Sequence, residues 1–113
     1  MCSQATLNQI TGRVVDAVKD SLGDKLDKVI LYGSFARGDY NEESDIDIMV
    51  LADIPREDEL KEYNKINCFI SRLGLEHDIV ITVNITDCKT FYEYVDVLPY
   101  YMNVQREGVV LSA

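Results

Sequence analysis

The first apolar pattern along the chain has helical spacing and predicts an amphipathic helix over residues 6–22. A second helix is predicted after Pro55, because acidic residues in its first turn suit the helix dipole and Gly74 can end it. The apolar residues that recur in this second helix, and are expected to be buried, are Leu60, Tyr63, Ile66, Ile70 and Leu73. The two patterns predict the two long helices of the chain.

The segment after residue 86 predicts two shorter helices separated by a proline. Asp87 is expected to cap the first of them, and Pro99 interrupts the pattern. The residues expected on one side of this first helix are Phe91, Tyr94, Val95 and Leu98. A further helix is predicted over residues 100–107, ending at Gly108.

Four apolar runs of strand length complete the pattern, at residues 29–32, 46–51, 79–83 and 109–111. Strands alternate with helices along most of the chain. This order predicts a single domain, residues 1–113, of the α/β (α+β) class, with a mixed sheet covered by helices.

Two polar features lie next to these runs and indicate a functional site. Gly33 and Ser34 follow the first strand, where a free helix start, the Ser34 hydroxyl and the cation of Arg37 favour a phosphate. Asp45 and Asp47 flank the start of the second strand and point to the same face, because side chains alternate along a strand. Two repelling carboxylates on one face suit a Mg²⁺ or Mn²⁺ ion.

The combination of Gly33-Ser34, ten intervening residues and Asp45-x-Asp47 resembles the signature of the polymerase-β-like nucleotidyltransferases. The run GSFARG followed by SDID is most similar to the minimal nucleotidyltransferases (MNT). Those short proteins are often paired with a HEPN-domain partner in prokaryotic toxin–antitoxin modules. The resemblance covers most of the chain, and Asp78 is the remaining match at the level of motifs.

The resemblance implies a polymerase-β-like nucleotidyltransferase fold, and the position of the motifs predicts its topology. The end of strand one can meet the start of strand two only if the two strands are antiparallel. The helix before strand three predicts a right-handed parallel crossover. This places Asp78 beside the start of strand two as the third metal ligand, with Glu76 as the alternative.

The resemblance also implies a role for each matching residue in binding ATP with two Mg²⁺ ions. The expected catalytic and metal-binding residues are Asp45, Asp47 and Asp78. The expected nucleotide-binding residues are Gly33, Ser34, Arg37 and Ser44. For Ser44 two partners remain open, a backbone group in the turn or a phosphate oxygen.

Charge and hydropathy restrict the partners and the location. The chain has 11 basic and 20 acidic residues, a net charge of −9, which disfavours nucleic acid and suits a basic protein, or only solubility. It has no run of eighteen apolar residues, and its N-terminus lacks a basic region followed by an apolar one. We therefore expect no nucleic-acid or membrane partner and a cytoplasmic location.

The expected function is transfer of AMP from ATP to a hydroxyl, a tyrosine of a HEPN toxin, with the chain acting as the antitoxin. The C-terminal region contains Tyr92, Tyr94, Tyr100 and Tyr101, and we expect one or two of them to be exposed, either in a protein interface or on plain surface. Two alternatives remain open: a non-catalytic antitoxin that masks its partner, and an adenylyltransferase acting on a small molecule.

Overall fold

The computed structural model describes residues 3–112, which contain five α-helices and four β-strands. The helices are α1 Gln4–Leu22, α2 Ser34–Arg37, α3 Glu59–His77, α4 Cys88–Tyr94 and α5 Pro99–Glu107. The strands are β1 Leu26–Tyr32, β2 Ile46–Ala52, β3 Ile81–Asp87 and β4 Val109–Ser112. None of the helices in this range is both long and apolar enough to cross a membrane.

The four strands form one mixed sheet with the order β3-β2-β1-β4. β1 pairs antiparallel with β2 and with β4, whereas β2 and β3 are parallel. The parallel pair is joined through α3, because parallel neighbours need a long crossover. The predicted mixed sheet and the predicted direction of its first three strands are confirmed.

Both faces of the sheet are covered, so β2 is apolar on both sides beyond Asp47. Ile46, Ile48 and Val50 pack in the larger core with α1 and α3. Met49 and Leu51 point to the opposite face and pack against α4 and α5. Asp47 belongs to this second face, where it lies just beyond the smaller core.

Two helix starts follow from capping residues. Ser3 precedes α1, and its hydroxyl accepts a hydrogen bond from the Thr6 N–H at 3.1 Å, so the helix begins before the predicted residue 6. Asp87 ends β3 and caps α4, accepting from the Lys89 N–H at 3.0 Å. The predicted cap at Asp87 is confirmed.

The prediction for α3 was wrong in two respects. The helix continues through Gly74 to His77, and a Cβ on Gly74 would lie 2.6 Å from the Ile79 carbonyl oxygen, so close packing accounts for this glycine. Leu60 is 69% exposed, while Glu62 is buried in its place. Ile66, Ile70 and Leu73 are buried as predicted.

Three boundaries near the C-terminus also differ from the predictions. β3 begins at Ile81, two residues later than predicted, because the left-handed Asp78 and the segment after it connect α3 to the strand. α4 is a short helix that ends at Tyr94, and both Tyr94 and Leu98 are exposed. α5 begins with Pro99 in its first turn, where a missing N–H is tolerated.

Candidate functional site

The centre of the site is the contact between Gly33 and Asp47. Gly33 follows β1 with φ +78° and ψ −157°, a conformation that is essentially confined to glycine. A Cβ atom at this position would lie 2.5 Å from Asp47 Oδ2, which is closer than two such atoms can approach. Only a glycine lets the backbone bend and the carboxylate lie against it, so the two predicted motifs are in contact.

Strand register explains why Asp47 reaches Gly33. Asp47 pairs with Tyr32 in the antiparallel β1–β2 ladder, and Gly33 is the next residue after Tyr32. Asp45 lies immediately before β2 and is exposed, while Asp47 is half-buried. The two residues are on the same face and are separated by roughly 6–7 Å of strand.

The electrostatics of the two carboxylates indicate a cation site. Burial raises the pKa of Asp47, the charge of Asp45 raises it further, and the charge of Arg37 lowers it. Within residues 3–112, neither carboxylate accepts a hydrogen bond. Two oxygen donors with free lone pairs on one face fit Mg²⁺ or Mn²⁺, which prefer oxygen ligands.

Asp47→Asn should raise the melting temperature at pH 7 in EDTA, since the substitution removes a charge that folding places in an unfavourable environment. Because the pKa is raised in the folded protein, the native state binds more protons and loses stability as the pH rises through this window. The gain should therefore shrink as the pH falls through the raised pKa of folded Asp47, and it should be gone below about 3.9, where the unfolded carboxyl is also protonated.

The control for this measurement is Asp16→Asn on the exposed face of α1. It removes an equal charge with a residue of similar helix propensity and should change the melting temperature little. A lower melting temperature for Asp47→Asn at pH 7 would instead indicate that the charged carboxylate has a structural role.

The start of α2 lies beside this carboxylate pair. The N–H groups of Ala36 and Arg37 donate to the Gly33 carbonyl at 3.1 Å. The N–H groups of Ser34 and Phe35 have no acceptor in the described part of the chain. Free N–H groups next to this pair of carboxylates suit the oxygens of a metal-bound phosphate chain.

Arg37 lies near Asp47 but forms ion pairs elsewhere. Its Nε donates to Asp39 Oδ2 and its Nη1 to Glu107 Oε2, both at 3.1 Å. Glu107 is in α5, so this pair joins α2 to the C-terminal helix. The sequence contained no signal for it, because nothing local indicates which part of α5 faces α2.

Ser44 orders the loop before Asp45. Its hydroxyl accepts from the Asn41 N–H at 2.9 Å, and its own N–H donates to the Asn41 carbonyl at 3.1 Å. Of the two partners left open by the sequence, the structure therefore contains the backbone group in the turn.

Asp78 is on the open side of the site, apart from Asp47. It caps α3 in the left-handed conformation, with φ 53°, and lines a pocket of about 600 Å³ together with Asp45. The β3 residue that pairs with Asp47 is Thr82. Within residues 3–112, no three Asp, Glu, His or Cys residues are grouped closely enough to hold a metal ion. The role of Asp78 therefore stays a prediction, and Glu76 instead forms an ion pair with Arg13 at 2.9 Å.

A second polar group on the Asp47 face was missed in the sequence. Tyr32 from β1, Asn84 from β3 and Tyr100 from α5 bond to one another through their side chains. The only sequence signal was the alternation of Thr82, Asn84 and Thr86, which marks a polar face on β3.

Comparisons with known proteins identify a family that this chain matches. Residues 12–106 match the model of the family described as "Nucleotidyltransferase domain". The "Putative protein adenylyltransferase MJ0604" of Methanocaldococcus jannaschii is 33% identical over 97 residues, which cover 86% of this chain and 89% of that protein. MJ0141 of the same organism, with the same descriptive name, is 53% identical over 62 residues, 54% of this chain and 60% of that protein.

Two solved structures share the fold. A "putative nucleotidyltransferase from Sulfolobus solfataricus" superposes with a TM-score of 0.57 and 22% identity, covering 95% of this chain and 80% of that one. A toxin–antitoxin crystal structure with AMP-PNP superposes with a TM-score of 0.51 and 18% identity, covering 88% of this chain and 70% of that one.

Proposed function

Because the chain belongs to the nucleotidyltransferase domain family, we propose that it transfers AMP from ATP, with Mg²⁺, to a tyrosine hydroxyl of a HEPN toxin. In this proposal the chain is the antitoxin of the pair. The observation that carries the proposal is the contact between Gly33 and Asp47. This contact places the turn that we propose to bind phosphate beside two carboxylates that accept no hydrogen bond within residues 3–112.

The chain's own residues have distinct parts in this reaction. The free N–H groups after Gly33 hold the phosphate chain, while Asp45 and Asp47 would hold metal ions, which would supply neutralisation of the phosphate charge. The acceptor oxygen forms a bond to the α-phosphorus, and the bond from that phosphorus to the β-phosphate oxygen breaks. Pyrophosphate leaves, and the phenolic proton passes to water or to a carboxylate on the open side, where Asp78 is the candidate.

The choice of a protein acceptor has three supports. Relatives of this chain carry the name protein adenylyltransferase, and a protein with the same fold was crystallised within a toxin–antitoxin complex. The net charge of −9 disfavours nucleic acid as the acceptor. Several apolar side chains between the end of α4 and the first turns of α5 are exposed and suit a protein interface, namely those of Tyr94, Val97, Leu98 and Met102.

The experiment that tests the proposal combines the chain, a HEPN protein encoded beside it, ATP and Mg²⁺. Intact and peptide masses should show one or more AMP units on a tyrosine of the HEPN protein. Omitting ATP or replacing Mg²⁺ with EDTA should leave the mass unchanged and the toxin active.

Three other outcomes would contradict parts of the proposal. Neutralisation of the toxin without ATP and without added mass would establish masking and overturn the enzymatic role. AMP on a small molecule such as an aminoglycoside would preserve the chemistry and overturn the partner. AMP on an RNA end would contradict the argument from charge.

A further inference from the structure

Three side chains from different elements meet on the Asp47 face of the sheet, and we call them the Tyr32–Asn84–Tyr100 cluster. The phenol oxygens of Tyr32 and Tyr100 are 2.7 Å apart. The Asn84 side-chain nitrogen donates to Tyr32 Oη at 2.9 Å and to Tyr100 Oη at 3.1 Å. The two rings are also in edge-to-face contact, with centroids 5.8 Å apart. The cluster is therefore a rigid unit that links α5 to two strands.

The cluster contains one hydrogen-bond donor that has no acceptor among residues 3–112. The Asn84 amide has two hydrogens, and both are used by the two phenol oxygens. The bond between the phenols uses one of the two phenolic hydrogens, and either phenol can be its donor, so the hydrogen that remains can be that of Tyr100. Within residues 3–112 the second phenolic hydrogen has no acceptor. Tyr100 is 45% exposed, whereas Tyr32 and Asn84 are partly buried, so a ligand can reach the cluster through Tyr100.

The position of the cluster relative to the candidate site follows from the register. Tyr32 pairs with Asp47 in β2, and Asn84 pairs with Met49 two residues further along. β1 and β3 are separated by about 10 Å because β2 lies between them. The Tyr32 side chain therefore crosses β2 between Asp47 and Met49 to reach Asn84.

We propose that Tyr100 binds the nucleoside part of the nucleotide, with Tyr32 and Asn84 positioning its hydroxyl. The inference rests on the function proposed above. In this arrangement the phosphate chain lies at Gly33 and Asp47, and the nucleoside extends along β2 towards α5. The spare phenolic hydrogen is donated to a ribose or base oxygen or nitrogen, and the exposed ring contacts the sugar or base.

The chemistry of the cluster favours a nucleoside over the other two parts of the reaction. It contains no cation, so it does not suit a phosphate chain, whereas an aromatic face with one donor suits a flat, uncharged group. The acceptor hydroxyl has to approach the α-phosphorus opposite the leaving pyrophosphate. The pocket shared by Asp45 and Asp78 opens towards solvent on the other side and provides that approach.

The test compares binding of ATP and of inorganic triphosphate, each with Mg²⁺, by isothermal titration calorimetry. Tyr100→Phe should weaken ATP binding about three- to tenfold, as expected for one lost hydrogen bond, and Tyr100→Ala should weaken it further. Neither substitution should weaken binding of triphosphate, because triphosphate has no nucleoside. Melting temperatures confirm that the variants are folded.

Two further variants separate binding from a merely structural role. Tyr32→Phe breaks the same bond between phenols but leaves the Tyr100 hydroxyl in place, so it should weaken ATP binding less than Tyr100→Phe. Tyr63→Phe removes the hydroxyl of a tyrosine in α3 that bonds to Asn67 outside the site, so it should leave the binding of ATP and of triphosphate unchanged.

Equal loss of ATP and triphosphate binding in Tyr100→Phe, or no loss of either, would overturn this inference and leave the proposed function standing. A wild-type chain that binds neither compound would contradict both.

Discussion

Asp45→Asn should reduce AMP transfer by a factor on the order of a thousand or more. The carboxylate is exposed at the start of β2, accepts no hydrogen bond within residues 3–112, and shares a face with Asp47. An amide oxygen carries no net charge and binds Mg²⁺ weakly, so the charge on the phosphates would remain without compensation. Metal ions contribute several kcal/mol in such reactions, and each 1.36 kcal/mol corresponds to about tenfold in rate.

The measurement is the rate of AMP incorporation together with the thermal shift caused by ATP. In the wild type, ATP should raise the melting temperature more with Mg²⁺ than with EDTA. Asp45→Asn should remove that difference, and the control Asp16→Asn should retain it together with full activity. An active Asp45→Asn chain, or a wild-type shift that is equal in Mg²⁺ and EDTA, would argue against the metal assignment.

Gly33→Ala should abolish ATP binding and lower the free energy of unfolding by roughly 2–5 kcal/mol. The substituted residue would be strained at φ +78° and ψ −157°, and its Cβ would overlap Asp47 Oδ2. Relief requires Asp47 to move or the turn to change, and either response separates the two halves of the site.

Gly38→Ala is the matched control, because Gly38 also has a positive φ, +84°, but has no atom within 4 Å of an added Cβ. Gly38→Ala should lower the free energy of unfolding by only about 1–2 kcal/mol, which is the cost of placing a residue other than glycine in a left-handed conformation. Gly33→Ala should also cost less in an Asp47→Ala background than in the wild type, since the overlapping carboxylate is gone. Denaturant titrations of Gly33→Ala, Gly38→Ala, Asp47→Ala and the Gly33→Ala/Asp47→Ala double variant measure these costs, and equal costs for the two glycines would contradict the contact between Gly33 and Asp47.

The sequence was sufficient to predict the elements whose signal is local. The alternation in β2 put Asp45 and Asp47 on one face and Ile46, Ile48 and Val50 on the other, and the structure has this arrangement. The periodicity of α1 likewise identified its buried residues, because an amphipathic helix in a small domain has one apolar side and one sheet to pack against.

Features that depend on how distant elements dock could not be predicted. The pair Arg37–Glu107 and the Tyr32–Asn84–Tyr100 cluster both require α5 to lie across the Asp47 face. Gly74 carried a misleading local signal, since glycine commonly ends a helix but here allows close approach of the Ile79 carbonyl. β3 begins two residues later than predicted because Asp78 adopts a left-handed conformation between α3 and the strand.

The alternation of polar and apolar residues along β2 also keeps the carboxylate pair in place, because it disfavours a shifted pairing of this strand. A shift of one residue in the pairing of β2 would turn Asp47 into the larger core and expose Ile48 to the face beneath α5. The larger core would then contain a carboxylate, and an apolar side chain would be lost from it. The packing of the apolar residues therefore fixes the register of β2 and, with it, the positions of Asp45 and Asp47. Evolution can therefore exchange the aliphatic residues of this strand for one another, but a single inserted or deleted residue would lose the fold and the chemistry together.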